Sequence, residues 1–131
     1  MMLLDTHVWL RWLGVGNAPL PAPLVDLIEE TEAATISAVS VWEAAWLVRG
    51  GKLDLRSPWE HWLDLAVRQA GIRVEPVTAA IASRAAWLDI HHHDPADRFI
   101  IATALELDCR LLSLDAKFPL YEELAGRLVQ A

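Results

Sequence analysis

The chain has 131 residues, and this length predicts a single domain, residues 1–131, with a core of its own. Its hydrophobic fraction is 54%, but no apolar run approaches the roughly 20 residues of a membrane span, and the lone Cys109 fits a reducing cytoplasm. The net charge of −7 argues against a protein that works by tight nucleic-acid binding alone.

Strand and helix signals alternate in the first half of the chain. A short apolar strand ends at Asp5 and is followed by a helix that stops before Gly14. A second helix is predicted over the letters LVDLIEETE. The β-favouring run ATIS then leads into a long amphipathic helix, Val39–Arg49, which ends at Gly50 and Gly51.

The second half continues this alternation. The stretch Ser57–Glu60 predicts a capping box with proline at the first helical position, opening a helix that reaches Ala70. A strand, IRVEPV, precedes a helix over 78–88, and a further helix is predicted over 94–107. RLLSL is the last clear strand, and Leu120–Val129 is predicted to form a closing helix. Alternation of this kind predicts an α/β fold, a parallel sheet covered by helices on both faces.

Four carboxylates stand where a strand ends or a helix begins. They are Asp5 after the first strand, Glu43 in ISAVSVWEAAWLV, Asp97 in HHHDPADRFIIATAL and Asp115 in CRLLSLDAKF. Ligands of open α/β sheets gather beyond the carboxyl ends of the strands, and four acids meeting there would repel one another unless a cation held them. Carboxylate oxygens suit Mg²⁺ or Mn²⁺. The sequence therefore predicts a metal site for phosphate transfer or hydrolysis.

Each acid also has an ordinary structural interpretation. Asp5 could cap the helix that follows it. Glu43 stands among apolar residues, where a carboxylate needs either solvent or a partner. Asp94 and Asp97 fall at the N-cap and third positions of one helix, so Asp94 can cap while Asp97 faces a metal. Asp115 could equally be a turn residue.

These fragments, in this order, resemble the PIN-domain ribonucleases, specifically the VapC-type toxins of bacterial toxin–antitoxin pairs. The resemblance runs from LLDTHVWLRWL to LLSLDAKF, nearly the whole chain. It implies a PIN-like three-layer fold and metal binding by Asp5, Glu43 and Asp97, with Asp115 as a less regular fourth member. It also implies a Mg²⁺- or Mn²⁺-dependent endoribonuclease that hydrolyses RNA through metal-activated water. Such a protein would form a homodimer and be neutralised by a VapB-like antitoxin.

Several polar residues near the acids have open roles. The hydroxyls of Thr6 and Ser113 could orient a carboxylate or form local turn bonds. His7 could contact a substrate phosphate, brace Asp5, or simply lie on a helix surface. A run of three histidines follows later: His91, His92 and His93. Consecutive side chains diverge and paired cysteines are absent, so a solvated loop near the catalytic mouth is favoured over a zinc site.

Seven tryptophans are unusual at this length. Six of them form pairs that share a helix face, because the partners are three or four residues apart: Trp9 and Trp12, Trp42 and Trp46, Trp59 and Trp62. Core packing is predicted for half of the seven or more. The others could line a groove for a partner, since tryptophan is a strong interface anchor.

Two other functions remain open at this stage. One is a non-catalytic protein-interaction module, whose acids are helix caps and solvated surface groups. The other is a phosphatase similar to the haloacid dehalogenases, which also place an aspartate after the first strand. That enzyme would need a second aspartate where His7 stands.

Overall fold

The computed structural model describes residues 1–16, 18–91 and 94–130. Within these ranges, five short strands form one parallel sheet in the order β3-β2-β1-β4-β5. The strands are β1 (Met2–Leu4), β2 (Ala34–Ser37), β3 (Arg73–Glu75), β4 (Arg110–Leu112) and β5 (Leu128–Val129). All of β1 is buried, the pattern of a strand covered on both faces. Its Leu3 is in register with Thr35 of β2 and Leu111 of β4.

Helices connect the strands, in agreement with the predicted alternation. They are α1 (Thr6–Trp12), α2 (Ala22–Glu30), α3 (Ala38–Arg49), α4 (Trp59–Asp64), α5 (Ala79–Trp87) and α6 (Pro95–Leu107). α4 continues as a π-helical turn over Leu65–Gln69. No helix in the described ranges is long and apolar enough to cross a membrane.

Two clusters of buried side chains lie on opposite faces of the sheet. Because side chains alternate along a strand, neighbouring residues of β1 point to opposite faces. Leu4 packs with Trp9 of α1 and Trp62 of α4, whereas Leu3 packs with Ile100 of α6. The prediction of a parallel sheet between two helical layers is confirmed.

The strand order places a switch point beside the central strand. The chain builds outward from β1 through β2 to β3, and then crosses back to place β4 on the other side of β1. Crevices for ligands form at the carboxyl ends of the strands where the order reverses in this way. Asp5 directly follows β1 and Ser113 directly follows β4, so both residues lie at this point.

The capping box predicted at Ser57–Glu60 is wrong. α4 begins at Trp59 with Pro58 as its N-cap, and no side chain makes a capping hydrogen bond there. The approach to the helix is shaped earlier, at Arg56, which has a φ of 57° and whose N–H donates to Asp54 Oδ1 at 3.0 Å. An aspartate turn therefore precedes the helix where the sequence predicted a serine cap.

The closing helix predicted at Leu120–Val129 is also wrong. Two short 3₁₀ turns lead into β5 instead. Gly126 has a φ of 81°, a left-handed conformation that glycine adopts without steric cost, and it turns the chain towards the sheet. The Ser113 N–H then donates to the Val129 carbonyl at 3.2 Å. Pairing with the open edge of β4 satisfies backbone groups that a helix would have left unpaired.

Candidate active site

Asp5 is fixed through both of its carboxylate oxygens. The Val8 N–H donates to Oδ1 at 2.8 Å, which makes Asp5 the N-cap of α1. The Ser113 hydroxyl donates to Oδ2. The backbone is held as well, because the Asp5 N–H donates to the Leu112 carbonyl at 3.0 Å. Asp5 therefore caps α1 through Oδ1, and the Ser113 hydroxyl orients its carboxylate through Oδ2.

These hydrogen bonds do not offset the burial of Asp5. The residue is only 4% exposed, and this burial raises the pKa of its carboxyl above the usual range. The Ser113 and Val8 donors and the charge of His7 lower the pKa, whereas the charge of Asp115 raises it. Burial dominates, so the anionic form lacks compensating charge. A nearby cation would supply it.

Glu43 reaches the same region from the second turn of α3. Burial raises the pKa of its carboxyl, and the charges of Asp94 and Asp5 raise it further, whereas the Thr6 hydroxyl and His7 lower it. Among the described residues, its Oε1 is the one buried side-chain oxygen or nitrogen without a hydrogen-bond partner. Leaving a buried carboxylate oxygen unpaired is costly, so this atom marks a place for a ligand.

The start of α6 carries two acids with different roles. The Ala96 N–H donates to Asp94 Oδ1 at 3.0 Å, so Asp94 caps the helix as predicted. Asp97 is half-buried, and the pKa of its carboxyl is raised to about 7, with burial as the largest cause. The carboxylates that raise it further are, in decreasing order, those of Asp94, Glu43, Asp115 and Asp5. The charges of the other three predicted site acids therefore all raise the pKa of Asp97.

Asp115 lies in the turn after β4. Its Oδ1 accepts the Lys117 N–H at 2.8 Å, and its own N–H donates to Ser113 Oγ at 3.0 Å. The turn interpretation is therefore realised. Asp115 still acts on the site, because its charge raises the pKa values of Asp5 and Asp97.

The acids are coupled through charge without forming a closed cage. Within 1–16, 18–91 and 94–130, no group of three or more His, Cys, Asp or Glu side chains is spaced to hold a metal ion.

The histidines considered for the site differ in their surroundings. His7 is exposed on α1, and its charge lowers the pKa values of Asp5 and Glu43. His91 sets its ring edge-on against Tyr121, with centroids 4.7 Å apart. His92 and His93 lie outside the described residues.

Sequence reasoning missed Ser40. Its hydroxyl accepts a hydrogen bond from Thr6 Oγ1 at 2.9 Å, in the buried space beside the acids. The available signal was spacing: Ser40 precedes Glu43 by three residues, and residues three apart in a helix are neighbours on its surface.

Comparison with known proteins identifies the family. The PIN domain family model matches residues 2–124. The chain is also 32% identical over 117 residues to ribonuclease VapC22 of Mycobacterium tuberculosis, covering 88% of each chain. The chain is a PIN domain of the VapC type.

Solved structures share the fold of this PIN domain. FitAcB from Neisseria gonorrhoeae superimposes with a TM-score of 0.65 at 23% identity, over 98% of this chain and 96% of that one. VapC20 of Mycobacterium tuberculosis, described as a toxin that cleaves the sarcin–ricin loop, gives 0.64 at 16% identity over 100% and 98%. A toxin–antitoxin complex from Klebsiella pneumoniae gives 0.64 at 16% identity over 98% and 96%.

Removing the Asp97 carboxylate should stabilise the metal-free protein at high pH. The folded protein holds a proton on Asp97 between the ordinary value of 3.8 and about 7. The unfolded chain releases that proton in the same range, so the contribution of this group to stability falls as pH rises through it. With a chelator present, Asp97→Asn should unfold at a higher temperature than wild type at pH 8, and the gain should shrink towards pH 4.

The control for this comparison is Asp26→Asn, which makes the same change in net charge on the exposed surface of α2. Circular dichroism melts follow both variants. A stabilisation of Asp97→Asn that does not change between pH 8 and pH 4 would contradict the electrostatic account.

Proposed function

We propose that this PIN domain is an endoribonuclease toxin of the cytoplasm, in which residues 1–131 act as one nuclease unit. In this proposal Asp5, Glu43 and Asp97 hold Mg²⁺ or Mn²⁺, with Asp115 assisting. The observation that carries it is the raised pKa of Asp97, about 7, which is due first to burial and then to neighbouring carboxylates, including those of three other segments of the chain. Identity of 32% to a ribonuclease supports RNA as the substrate class.

The donor set suits a hard divalent cation. Every proposed ligand atom is a carboxylate oxygen, and oxygen ligands favour Mg²⁺ and Mn²⁺ over softer metals. Glu43 Oε1 is buried without a hydrogen-bond partner, and a cation would satisfy it. Asp5 can also contact a cation, because each of its carboxylate oxygens can accept more than the single hydrogen bond it has here.

The chain itself orients the Asp5 carboxylate and sets the protonation of Asp97. When bound, a divalent cation supplies Lewis acidity, lowers the pKa of water and stabilises charge on a phosphodiester. Val8 and Ser113 keep the Asp5 carboxylate in one orientation. Asp97, with a pKa of about 7, must release its proton before it can act as a ligand. Metal affinity should therefore increase as pH rises through neutrality.

The two alternative functions, an interaction module and a phosphatase, are less well supported. An interaction module whose acids are only caps and surface groups gives no reason for a buried, unpaired Glu43 Oε1. The haloacid-dehalogenase-like alternative is wrong, because the chain belongs to the PIN-domain family.

We further propose a VapB-like antitoxin as partner and a homodimer as the basic assembly. A structure of similar fold from Klebsiella pneumoniae is described as a toxin–antitoxin complex, which supports the antitoxin. Trp9 and Trp62 are core residues, but Trp42 and Trp46 are 56% and 57% exposed and stack with ring centroids 5.8 Å apart. Trp87 is 87% exposed. Exposed tryptophans are the side chains best suited to anchor a protein interface.

Neutralising the proposed ligands should abolish cleavage of RNA. Asp5→Asn, Glu43→Gln and Asp97→Asn each remove one carboxylate while keeping its shape, so each should lose Mg²⁺-dependent cleavage and keep the fold. Asp115→Asn should be milder, because its Oδ1 already accepts the Lys117 N–H. The measurement is the cleavage rate on single-stranded RNA, with Asp26→Asn as the charge control. Near-wild-type cleavage by any two of the three variants would overturn the assignment.

Self-association should depend on the stacked tryptophans of α3. Light scattering at tens of micromolar should give twice the chain mass of 14.6 kDa. The double variant Trp42→Ala/Trp46→Ala should shift the protein towards monomer, because it removes two aromatic anchors. Trp87→Ala serves as a comparison at another exposed position. A monomeric wild type would contradict the dimer, and an unchanged double variant would contradict this surface.

A further inference from the structure

Two buried hydroxyls join the helices that carry Asp5 and Glu43. Thr6 is the first residue of α1, directly after Asp5, and Ser40 lies in the first turn of α3. Thr6 Oγ1 donates to Ser40 Oγ at 2.9 Å. The two residues are 1% and 0% exposed, so water does not compete for this bond. The bond ties the start of one acid-bearing helix to the start of the other.

Packing alone does not require hydroxyls at these positions. A buried hydroxyl is costly unless it is hydrogen-bonded, and replacing both partners of a buried pair by apolar groups of similar shape can be nearly neutral. The location of the pair suggests a reason for it. Thr6 follows Asp5 in the chain, and Ser40 precedes Glu43 by three residues in α3, so the two hydroxyls lie next to both acids.

Glu43 needs such support more than Asp5 does. Asp5 has a hydrogen-bond donor on each oxygen, whereas Glu43 Oε1 has no partner. The glutamate side chain also has one more rotatable bond than aspartate. Its position therefore depends on how firmly α3 is held against α1.

We propose that Thr6 and Ser40 are positioning residues that place Glu43 relative to Asp5 and thereby set the affinity of the site for a divalent cation. This inference rests on the proposed function, in which both acids are metal ligands. The hydroxyl pair acts through the carboxylates and contacts neither the metal nor the RNA. Supporting groups around metal ligands typically change metal affinity by about 10- to 100-fold when they are removed.

Threonine variants test this on the full-length protein. Thr6→Val removes the hydroxyl and keeps the branched shape, whereas Thr6→Ser keeps the hydroxyl. By calorimetry with Mn²⁺, Thr6→Val should bind about 10- to 100-fold more weakly than wild type, and Thr6→Ser should restore most of the affinity. The matched control is Thr35→Val, because Thr35 is 0% exposed and its hydroxyl donates to the Ala33 carbonyl, away from the acids. That variant should bind Mn²⁺ as wild type does.

A double variant tests whether the two hydroxyls act as a pair. If each works only through the other, Thr6→Val/Ser40→Ala should bind Mn²⁺ about as weakly as the weaker single variant. Two losses that multiply in the double variant would show independent effects and would overturn the pairing.

A metal-free readout separates this inference from the proposed function. The side-chain carboxyl carbon resonance of Glu43 should shift or broaden in Thr6→Val and stay unchanged in Thr35→Val. Unchanged Mn²⁺ affinity and an unchanged Glu43 resonance in Thr6→Val would overturn the positioning role, as would an equal loss of affinity in Thr35→Val. A wild-type protein that binds no Mn²⁺ would instead overturn the metal site, while the resonance would still report whether the hydroxyls place Glu43.

Discussion

The burial of neighbouring carboxylates at the carboxyl ends of the central strands is the constraint on which the site depends. Burial is the first cause of the raised pKa values of Asp5, Glu43 and Asp97, and neighbouring acids add to it. The two hydrogen bonds to Asp5 do not offset its burial, because the pKa of its carboxyl stays raised. Glu43 Oε1 has no hydrogen-bond partner at all. A bound proton or cation would reduce the negative charge that remains.

The negative charge is compensated to a different extent at each acid. Asp5 is the most buried of the four, and its two hydrogen bonds also serve the fold, because one caps α1 and the other ties β1 to the turn after β4. Asp97 takes up a proton near neutral pH. Glu43 keeps an unpaired oxygen. Groups of this kind lower the stability of the folded protein, and they are expected at a site that binds a ligand.

Much of this arrangement could be read from the sequence because it depends on local signals. Apolar periodicity located the helices, and Asp94 was recognisable as a cap from the proline that follows it. The parallel order of the strands followed from their alternation with helices. Asp5 was open to two interpretations from sequence, and the structure shows that its two oxygens allow both.

The capping-box error was local, at the turn before α4, but the other error and the omission of Ser40 came from contacts between distant segments. Leu120–Val129 has helical spacing, but pairing of β5 with β4 decides its conformation, and no local pattern reveals that pairing. The Thr6–Ser40 bond spans 34 residues and was hidden for the same reason. The pKa of Asp97 likewise depends on acids from separate segments, so the sequence could predict that the acids meet but not which of them would hold a proton.

Direct titration with Mn²⁺, followed by electron paramagnetic resonance, tests the central claim most simply. The account predicts saturable, stoichiometric binding by the wild-type protein at pH 8, loss of that binding in Asp5→Asn, and retention in the exposed-surface variant Asp26→Asn. Equal binding by all three proteins, or no binding by the wild type, would contradict the claim that these carboxylates are gathered to hold a cation.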